Sequence, residues 1–159
     1  MHRPPPPLYW TVLEPHWRSV SINDGAETFL AQYGALPAGV GVLFAAHWCQ
    51  SEVRNGGFHQ FFSNPTGVLA PEAATAFRSL RLLPWAETLL EAMRSFGAPY
   101  PRDRGARCAR LSGDRGPSRA DWDPFVALDR AFFALLASDR HAFTAAADTF
   151  ASALLQRSS

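Results

Sequence analysis

Hydrophobic positions in this chain recur every three or four residues, which is the spacing of one face of an α-helix. Several of these runs begin at a residue type that favours a helix start: Pro71, Pro84, Asp123 and Asp139. No segment shows the strict alternation that is typical of a half-buried strand. The pattern predicts an all-α protein, a compact orthogonal bundle of about six to seven helices.

The strongest helical signal is the run 40–53, which is apolar on most faces and therefore predicts a central, nearly buried helix. Asn55-Gly56 should end it, because these residue types tolerate the left-handed conformation at a helix C-terminus. A short second helix is predicted over 58–62, stopped by Asn64-Pro65. Upstream, the stretch 24–27 (Asp-Gly-Ala-Glu) has the spacing of a capping box and predicts another helix start.

Two segments do not show the helical pattern. Residues 98–119 are rich in Arg, Gly, Pro and Ser, and we expect one long loop there. Four consecutive prolines at 4–7 should form a short polyproline II arm, more plausibly a passive extension than a ligand for a proline-recognising domain. The expected organisation is an arm over 1–8 and a single helical domain over 9–159.

Composition narrows the class of protein. With 159 residues, 47% of them hydrophobic, the chain can bury the core of one folded domain. The formal net charge of +1 excludes a strong overall polyanion or polycation. There is neither a secretory leader pattern nor an apolar run long enough to span a membrane, so we expect a cytoplasmic protein.

The charge is uneven along the chain. Residues 100–120 carry six arginines and two aspartates, a local net charge of +4. Clustered arginine can contact phosphates, and direct nucleic-acid binding through 102–119 is therefore an alternative function. Tyr100 is the only aromatic residue there, whereas surfaces that stack bases usually interleave aromatics with charge. We expect instead a solvated loop whose arginines pair with acidic residues of the last two helices, which makes nucleic acid an unfavoured partner.

The most informative stretch runs from Asn55 to Asn64 and joins a pair of glycines to an aromatic cluster. Adjacent glycines are costly unless the backbone needs positive φ or a close approach, so Gly56 and Gly57 predict a tight, buried turn. The amide side chains in the stretch can satisfy its backbone polar groups. Glu52, one helical turn upstream, should accept hydrogen bonds from N–H groups of the turn or of the next helix start; the alternative is a carboxylate in a recognition pocket.

Catalytic and metal-binding chemistry find little support in the sequence. His47, Glu52 and His59 are the one His/Glu grouping close in sequence, and an unrecognised enzyme using them is a further alternative. Five residues separate His47 from Glu52, about 500° of helical rotation, so the two point in different directions. No zinc-protease, Cys-x-x-Cys, nucleophile-elbow or phosphate-loop motif is present. We therefore predict no enzyme, no metal and no cofactor.

The stretch Ser-Glu-Val-Arg-Asn-Gly-Gly-Phe-His-Gln-Phe-Phe-Ser-Asn over 51–64 resembles the bacterial DNA-mimic-protein family. Further similarity lies in Gly-Ala-Pro-Tyr-Pro-Arg-Asp-Arg at 97–104, in Arg107, and in Leu-Asp-Arg-Ala-Phe-Phe at 128–133. The resemblance covers most of the chain, from about residue 9 to the end. It implies an all-helical, dimeric domain without cofactor or catalytic activity.

The resemblance also implies a function, that of a small protein-binding protein whose partner is a DNA-binding protein. In such mimicry, carboxylates spaced like DNA phosphates occupy the partner's DNA-binding face. The candidate carboxylates for partner binding lie in or near the last two helices: Asp121, Asp123, Asp129, Asp139 and Asp148. The motif residues are interpreted as structural: Glu52, Asn55, Gly56, Gly57, Phe58, Gln60, Phe61 and Asn64.

Overall fold

The protein is built from helices that pack around one long central helix. The structure, a computed structural model, describes residues 3–113 and 123–159, and within these ranges it contains eight α-helices and no strand. In chain order the helices are α1 (Leu8–Leu13), α2 (Ala26–Gly34), α3 (Ala38–Ser63), α4 (Ala70–Ser79), α5 (Leu83–Met93), α6 (Arg104–Gly113), α7 (Val126–Ser138) and α8 (Ala142–Arg157). Short 3₁₀ segments occupy Glu14–Ser19, Pro65–Leu69 and Arg94–Phe96. The all-α prediction is confirmed.

Helix α3 is the centre of the bundle, and α1, α4, α6, α7 and α8 all contact it. Its sequence explains this position, since its apolar residues are spread around the whole circumference and every face needs cover. Backbone angles depart from helical values inside it at Gly56 (φ −154°, ψ 18°) and Gly57 (φ 76°, ψ −178°). The turn at Gly56-Gly57 therefore divides α3 into a long first half and a short second half.

Aromatic side chains fill the core in two groups, one beside each half of α3. Around the first half the rings come from α1, the following 3₁₀ segment and α3 itself: Tyr9, Trp10, Trp17, Phe44 and Trp48. Around the second half they come from α3, α7 and the segments before them: Phe58, Phe62, Phe96, Phe125 and Phe132. Offset and edge-to-face ring pairs of this kind stabilise a core beyond the area they bury.

The prediction of one long loop over 98–119 is wrong for 104–113, which form α6. The inward positions of α6 include Arg107, which is fully buried, and Leu111, one turn later. A buried arginine does not register as a hydrophobic position, so the helical periodicity is hidden in the sequence. Residues 98–103 lie outside any helix, as predicted, and 114–119 lie outside the described residues.

The predicted capping box at 24–27 does not form. Gly25, with φ 89°, is the residue that precedes α2, and no side chain caps that helix start. Asp24 instead accepts a hydrogen bond from the hydroxyl of Ser21. This local side-chain bond competes with capping, as is common for aspartate just before a helix.

Candidate functional site

The Gly56-Gly57 turn is the geometric centre of the motif. Gly57 has φ 76° and ψ −178°, a combination that only glycine adopts without strain, and it is buried. A Cβ atom on Gly57 would lie 2.7 Å from Oδ2 of Asp129, and one on Gly56 would overlap the side chain of Gln60. The predicted need for glycine is confirmed, with positive φ at one residue and close approach at both.

Asp129, on α7, holds the backbone that leaves the turn. Its Oδ1 accepts a hydrogen bond from the backbone N–H of Phe58 at 2.8 Å. Burial raises the pKa of the Asp129 carboxyl, while the bond from Phe58 acts in the opposite direction. An N–H at the start of the second half of α3 is thus satisfied by a residue 71 positions away.

Glu52 connects the two halves of α3 through side chains. Its carboxylate accepts hydrogen bonds from three donors beyond the turn: Gln60 Nε2 at 2.6 Å, Asn64 Nδ2 at 3.0 Å and Thr66 Oγ1 at 3.2 Å. Gln60 in turn accepts a bond from Asn55 Nδ2 at 3.4 Å. The expectation that Glu52 accepts backbone N–H groups is therefore wrong, because the turn brings amide side chains to it and gives the N–H to Asp129.

Arg107 closes the C-terminal end of α3. Its guanidinium donates to the carbonyl oxygens of Phe62 (Nε, 2.9 Å) and Asn64 (Nη2, 2.9 Å), and to that of Arg102 (Nη1, 2.5 Å). The last carbonyls of a helix have no partner within the helix and carry its negative dipole end. A buried cation placed there satisfies both the hydrogen bonds and the field.

The neighbouring arginines bind backbone carbonyls in the same way. Nε of Arg104 donates to the Ser63 oxygen at 2.7 Å, and Nε of Arg110 to the Ser95 oxygen at 3.1 Å. Arg102 donates to the Val68 oxygen and pairs with Glu72, both at 2.7 Å. The expected pairing of these four arginines with the last two helices is wrong. Helix α6 and the residues just before it present these arginines to carbonyls at the end of α3 and in the 3₁₀ segments Pro65–Leu69 and Arg94–Phe96.

His47 lies within the aromatic group of the first half of α3. Its ring packs against Tyr9, Trp10, Trp17 and Trp48, and its Nδ1 is 3.1 Å from the Tyr9 hydroxyl. Burial lowers the pKa of His47 to about 4, with a smaller contribution from Arg54. The imidazole is therefore neutral at pH 7 and forms part of the core.

The three residues considered for catalysis belong to different environments. His47 bonds with Tyr9, Glu52 bonds with three side chains beyond the turn, and Nδ1 of His59 is 3.3 Å from the Ser63 hydroxyl. In the described ranges, His, Cys, Asp and Glu residues form no group of three or more that could hold a metal ion. The arrangement provides hydrogen bonding and packing for the turn.

Comparison with known protein families gives one match, to a family model described as DMP19-like protein, over residues 34–153. The chain belongs to the DMP19-like protein family. The match covers most of the chain and includes the Gly56-Gly57 turn, Arg107 and Asp129. It confirms the resemblance to DNA-mimic proteins. Searches of curated proteins and of solved structures found no match.

The aspartates proposed from the DMP19-like resemblance are engaged within the protein to different degrees. Each of four accepts a backbone N–H: Asp123 from Phe125, Asp129 from Phe58, Asp139 from His141 and Asp148 from Tyr9, at 2.8–2.9 Å. Asp129 and Asp148 are half-buried, whereas Asp123 and Asp139 are exposed. The fifth, Asp121, lies outside the described residues.

Helix α7 of this DMP19-like chain exposes two large apolar side chains on its outer side, with Arg130 between them. Its inner face buries Phe132, yet Val126 and Phe133 are 45% and 40% exposed. A helix that is apolar on both faces is usually covered on both. A shallow groove beside Phe133 also involves Leu136 and is bordered by Arg54 and Arg140. No described helix is both long and apolar enough to cross a membrane.

Sequence reasoning missed the roles of two residues: Asp129 positions the turn, and Arg107 caps the end of α3. Asp129 was assigned to partner binding, and Arg107 was placed in a loop. Both lie in segments that resemble the DNA-mimic family away from the glycine motif. That shared similarity is the one sequence signal that could have linked them to the turn.

Proposed function

We propose that this protein is a small non-catalytic protein-binding protein that modulates a DNA-binding protein. The observation that carries the proposal is the exposed apolar face of α7, in a chain whose DMP19-like family suggests a DNA mimic. Exposed apolar faces rimmed by polar residues are typical of protein interaction sites. The motif residues would act by holding α7 in place, since Asp129 joins that helix to the turn.

The charges around α7 suggest how a DNA-binding protein could be recognised. Asp123 precedes the helix and Asp139 follows it, and both are exposed. Sixteen residues separate them, about 24 Å along a helix. These two carboxylates could meet basic residues that normally contact phosphates, with Phe133 between them. Arg130 and Arg140 are exposed on the same segment, so apolar contact would contribute more than net charge.

The proposal of a non-catalytic role rests on the state of the candidate groups. His47 is neutral and enclosed by aromatic rings, and the Glu52 carboxylate already accepts three hydrogen bonds. Direct nucleic-acid binding is disfavoured because Arg102 is paired with Glu72, and Arg107 is buried and donates to the protein's own backbone. We further propose that the protein acts in the cytoplasm.

The test is affinity capture from the native cell with mass spectrometry, using wild-type and Phe133→Ser proteins as bait. Leu155→Ser on α8 is the matched control, because Leu155 is 48% exposed. We expect a DNA-binding protein that Phe133→Ser loses and Leu155→Ser retains, and that duplex DNA displaces. Equal capture by both variants contradicts the proposal. So does a captured partner that duplex DNA does not displace and that the Asp123→Asn/Asp139→Asn variant still captures.

We also propose that the protein is a homodimer, as the family resemblance implies. Sedimentation equilibrium of the wild-type protein and the two serine variants tests this directly. If Phe133→Ser alone produces a monomer, the α7 face serves the dimer, and the partner contacts another surface. A gel shift of DNA at low salt that Arg104→Gln/Arg110→Gln abolishes would instead favour direct nucleic-acid binding.

A further inference from the structure

A pocket lies between the start of α2 and the start of α6, away from the outer face of α7. Three arginines line it: Arg104 is exposed, Arg102 is half-buried and Arg107 is fully buried. The apolar residues Ile22 and Phe29 also line it, and the cavity measures about 180 Å³. We propose that this pocket binds a small organic anion, a carboxylate or phosphate ester that has a compact apolar body.

The charge in the pocket is only partly balanced by the protein, through Glu72 beside Arg102 and Asp103 near Arg107. None of the described residues that line it is acidic. Arg102 is paired with Glu72, but Arg107 is fully buried and its hydrogen bonds go to carbonyl oxygens, which are uncharged. Among the described side chains no carboxylate forms an ion pair with Arg107. A buried cation whose hydrogen bonds end on uncharged oxygens is costly, so an anion in the adjoining pocket would be stabilised.

Arg104 supplies accessible donors at the same pocket. It is exposed, and its bond to the Ser63 oxygen uses one of the five N–H donors of the guanidinium. A guanidinium binds carboxylates and phosphates by paired, charge-assisted hydrogen bonds. Replacing Arg104 should therefore lower the affinity for an anion most without disturbing the hydrogen bonds of the buried Arg107.

The N-terminus of α2 adds to the same field. Gly25 and Ala26 line the pocket, α2 is nine residues long, and no side chain caps its start. The first N–H groups of a helix lack internal partners and carry the positive dipole end. This helix start supports the site but does not define it. The three arginines select a negatively charged ligand, and the apolar residues Ile22 and Phe29 select one with an apolar body.

The test is an NMR titration of the full chain, observing backbone amides and arginine Nε–H signals at constant ionic strength. The probes are benzoate, phenyl phosphate, inorganic phosphate and, as the uncharged counterpart, benzyl alcohol. We expect saturable shifts at Gly25, Ala26 and Arg104 with benzoate or phenyl phosphate, and weaker ones with inorganic phosphate. The stronger of the two organic anions identifies carboxylate or phosphate as the preferred group.

Variants separate this pocket from general attraction of anions. Arg104→Gln should weaken binding about tenfold, the loss expected for one charge-assisted contact. Arg110→Gln is the matched control, because Arg110 is also exposed on α6 and bonds a carbonyl through Nε, yet does not line the pocket. Ala26→Leu should abolish binding by filling the cavity while leaving the charge unchanged.

Three results would overturn the proposal. One is the absence of saturable shifts with any anion up to about 10 mM, a concentration that would reveal even weak sites. Another is an equal loss of affinity in Arg104→Gln and Arg110→Gln, which would indicate unspecific screening. The third is binding of benzyl alcohol as tightly as benzoate. None of these depends on the partner proposed for α7.

Discussion

The two halves of α3 are held in the bundle by different means. The first half is enclosed by aromatic rings from α1 and the 3₁₀ segment after it, with His47 as the polar group among them. The second half also packs against aromatic rings, and in addition it is held by hydrogen bonds from three separate places: Glu52 before the turn, Asp129 on α7 and Arg107 on α6. Packing tolerates exchange of one apolar residue for another, whereas a polar network depends on each member.

This difference explains why the glycine motif is so distinctive in the sequence. Many combinations of Leu, Val, Ala and Phe can form an apolar helix. The turn needs glycine at 57 and the Asp129 carboxylate against the backbone N–H of Phe58, and the end of α3 needs the Arg107 cation. The two largest effects of single substitution are therefore expected for Gly57 and Arg107, which shape and hold this second half.

The largest effect is expected for Gly57→Leu. The substitution imposes a disfavoured φ of 76° and places Cβ within 2.7 Å of Asp129, which also disrupts the bond to Phe58. The combined loss should be about 5 kcal/mol, enough to unfold a domain of ordinary stability. Circular dichroism and thermal melting measure it. Gly34→Ala, where a Cβ meets nothing within 4 Å, is the control, and a wild-type melting temperature for Gly57→Leu would refute the buried turn.

Arg107→Met should follow, lowering the free energy of unfolding by about 4 kcal/mol. The methionine fills part of the space but leaves the carbonyls of Phe62 and Asn64 without their donor. Arg107→Lys should recover only part of the loss, because an ammonium lacks the planar fork. Urea unfolding of both variants, with Arg110→Met as the exposed control, tests this. Equal losses at Arg107 and Arg110 would contradict the capping role.

The first half of α3 should make the free energy of unfolding depend on pH. His47 has a folded pKa of about 4 against a usual 6.5, so folding favours its neutral form. Its contribution is present above pH 6.5 and is lost as the pH falls towards 4, by about 3 kcal/mol. Urea unfolding at a series of pH values should show this slope. In His47→Gln the slope should flatten between these values, and an unchanged slope would mean that other groups cause it.

The smallest effects separate the two carboxylates of the turn. In Glu52→Gln, an NH₂ group replaces one of the oxygens that accept hydrogen bonds from Gln60, Asn64 and Thr66. This should lower the free energy of unfolding by about 2 kcal/mol. Asp129→Asn keeps an oxygen for the Phe58 N–H and should cost about 1 kcal/mol or less. Burial raises the Asp129 pKa, so the ionised form is the less stable one and its contribution falls as the pH rises through that pKa. Differential scanning calorimetry would compare them, and a larger loss in Asp129→Asn would reverse this ranking.

Much of the architecture could be predicted from local pattern. The central helix, the glycine turn and the helix starts near Pro71 and Pro84 depend on residues close in sequence, whereas α7 begins three residues after the predicted start at Asp123. Helix α6 could not be predicted, because its inward residue is an arginine. The partner of Glu52 was misassigned for a related reason: the direction of the chain after Gly57 decides which donors approach the carboxylate.

The sequence by itself determined that the protein is helical, where its chain must turn, and that glycine is required at that turn. It also determined the family, through a motif dense in residues with restricted conformations. The tertiary structure decided which charged groups form hydrogen bonds inside the protein and which remain exposed to solvent. Asp129 and Arg107 serve the turn and the helix end, while Asp123, Asp139 and Arg104 are exposed, because long-range contacts depend on how helices pack and leave no local trace in the sequence.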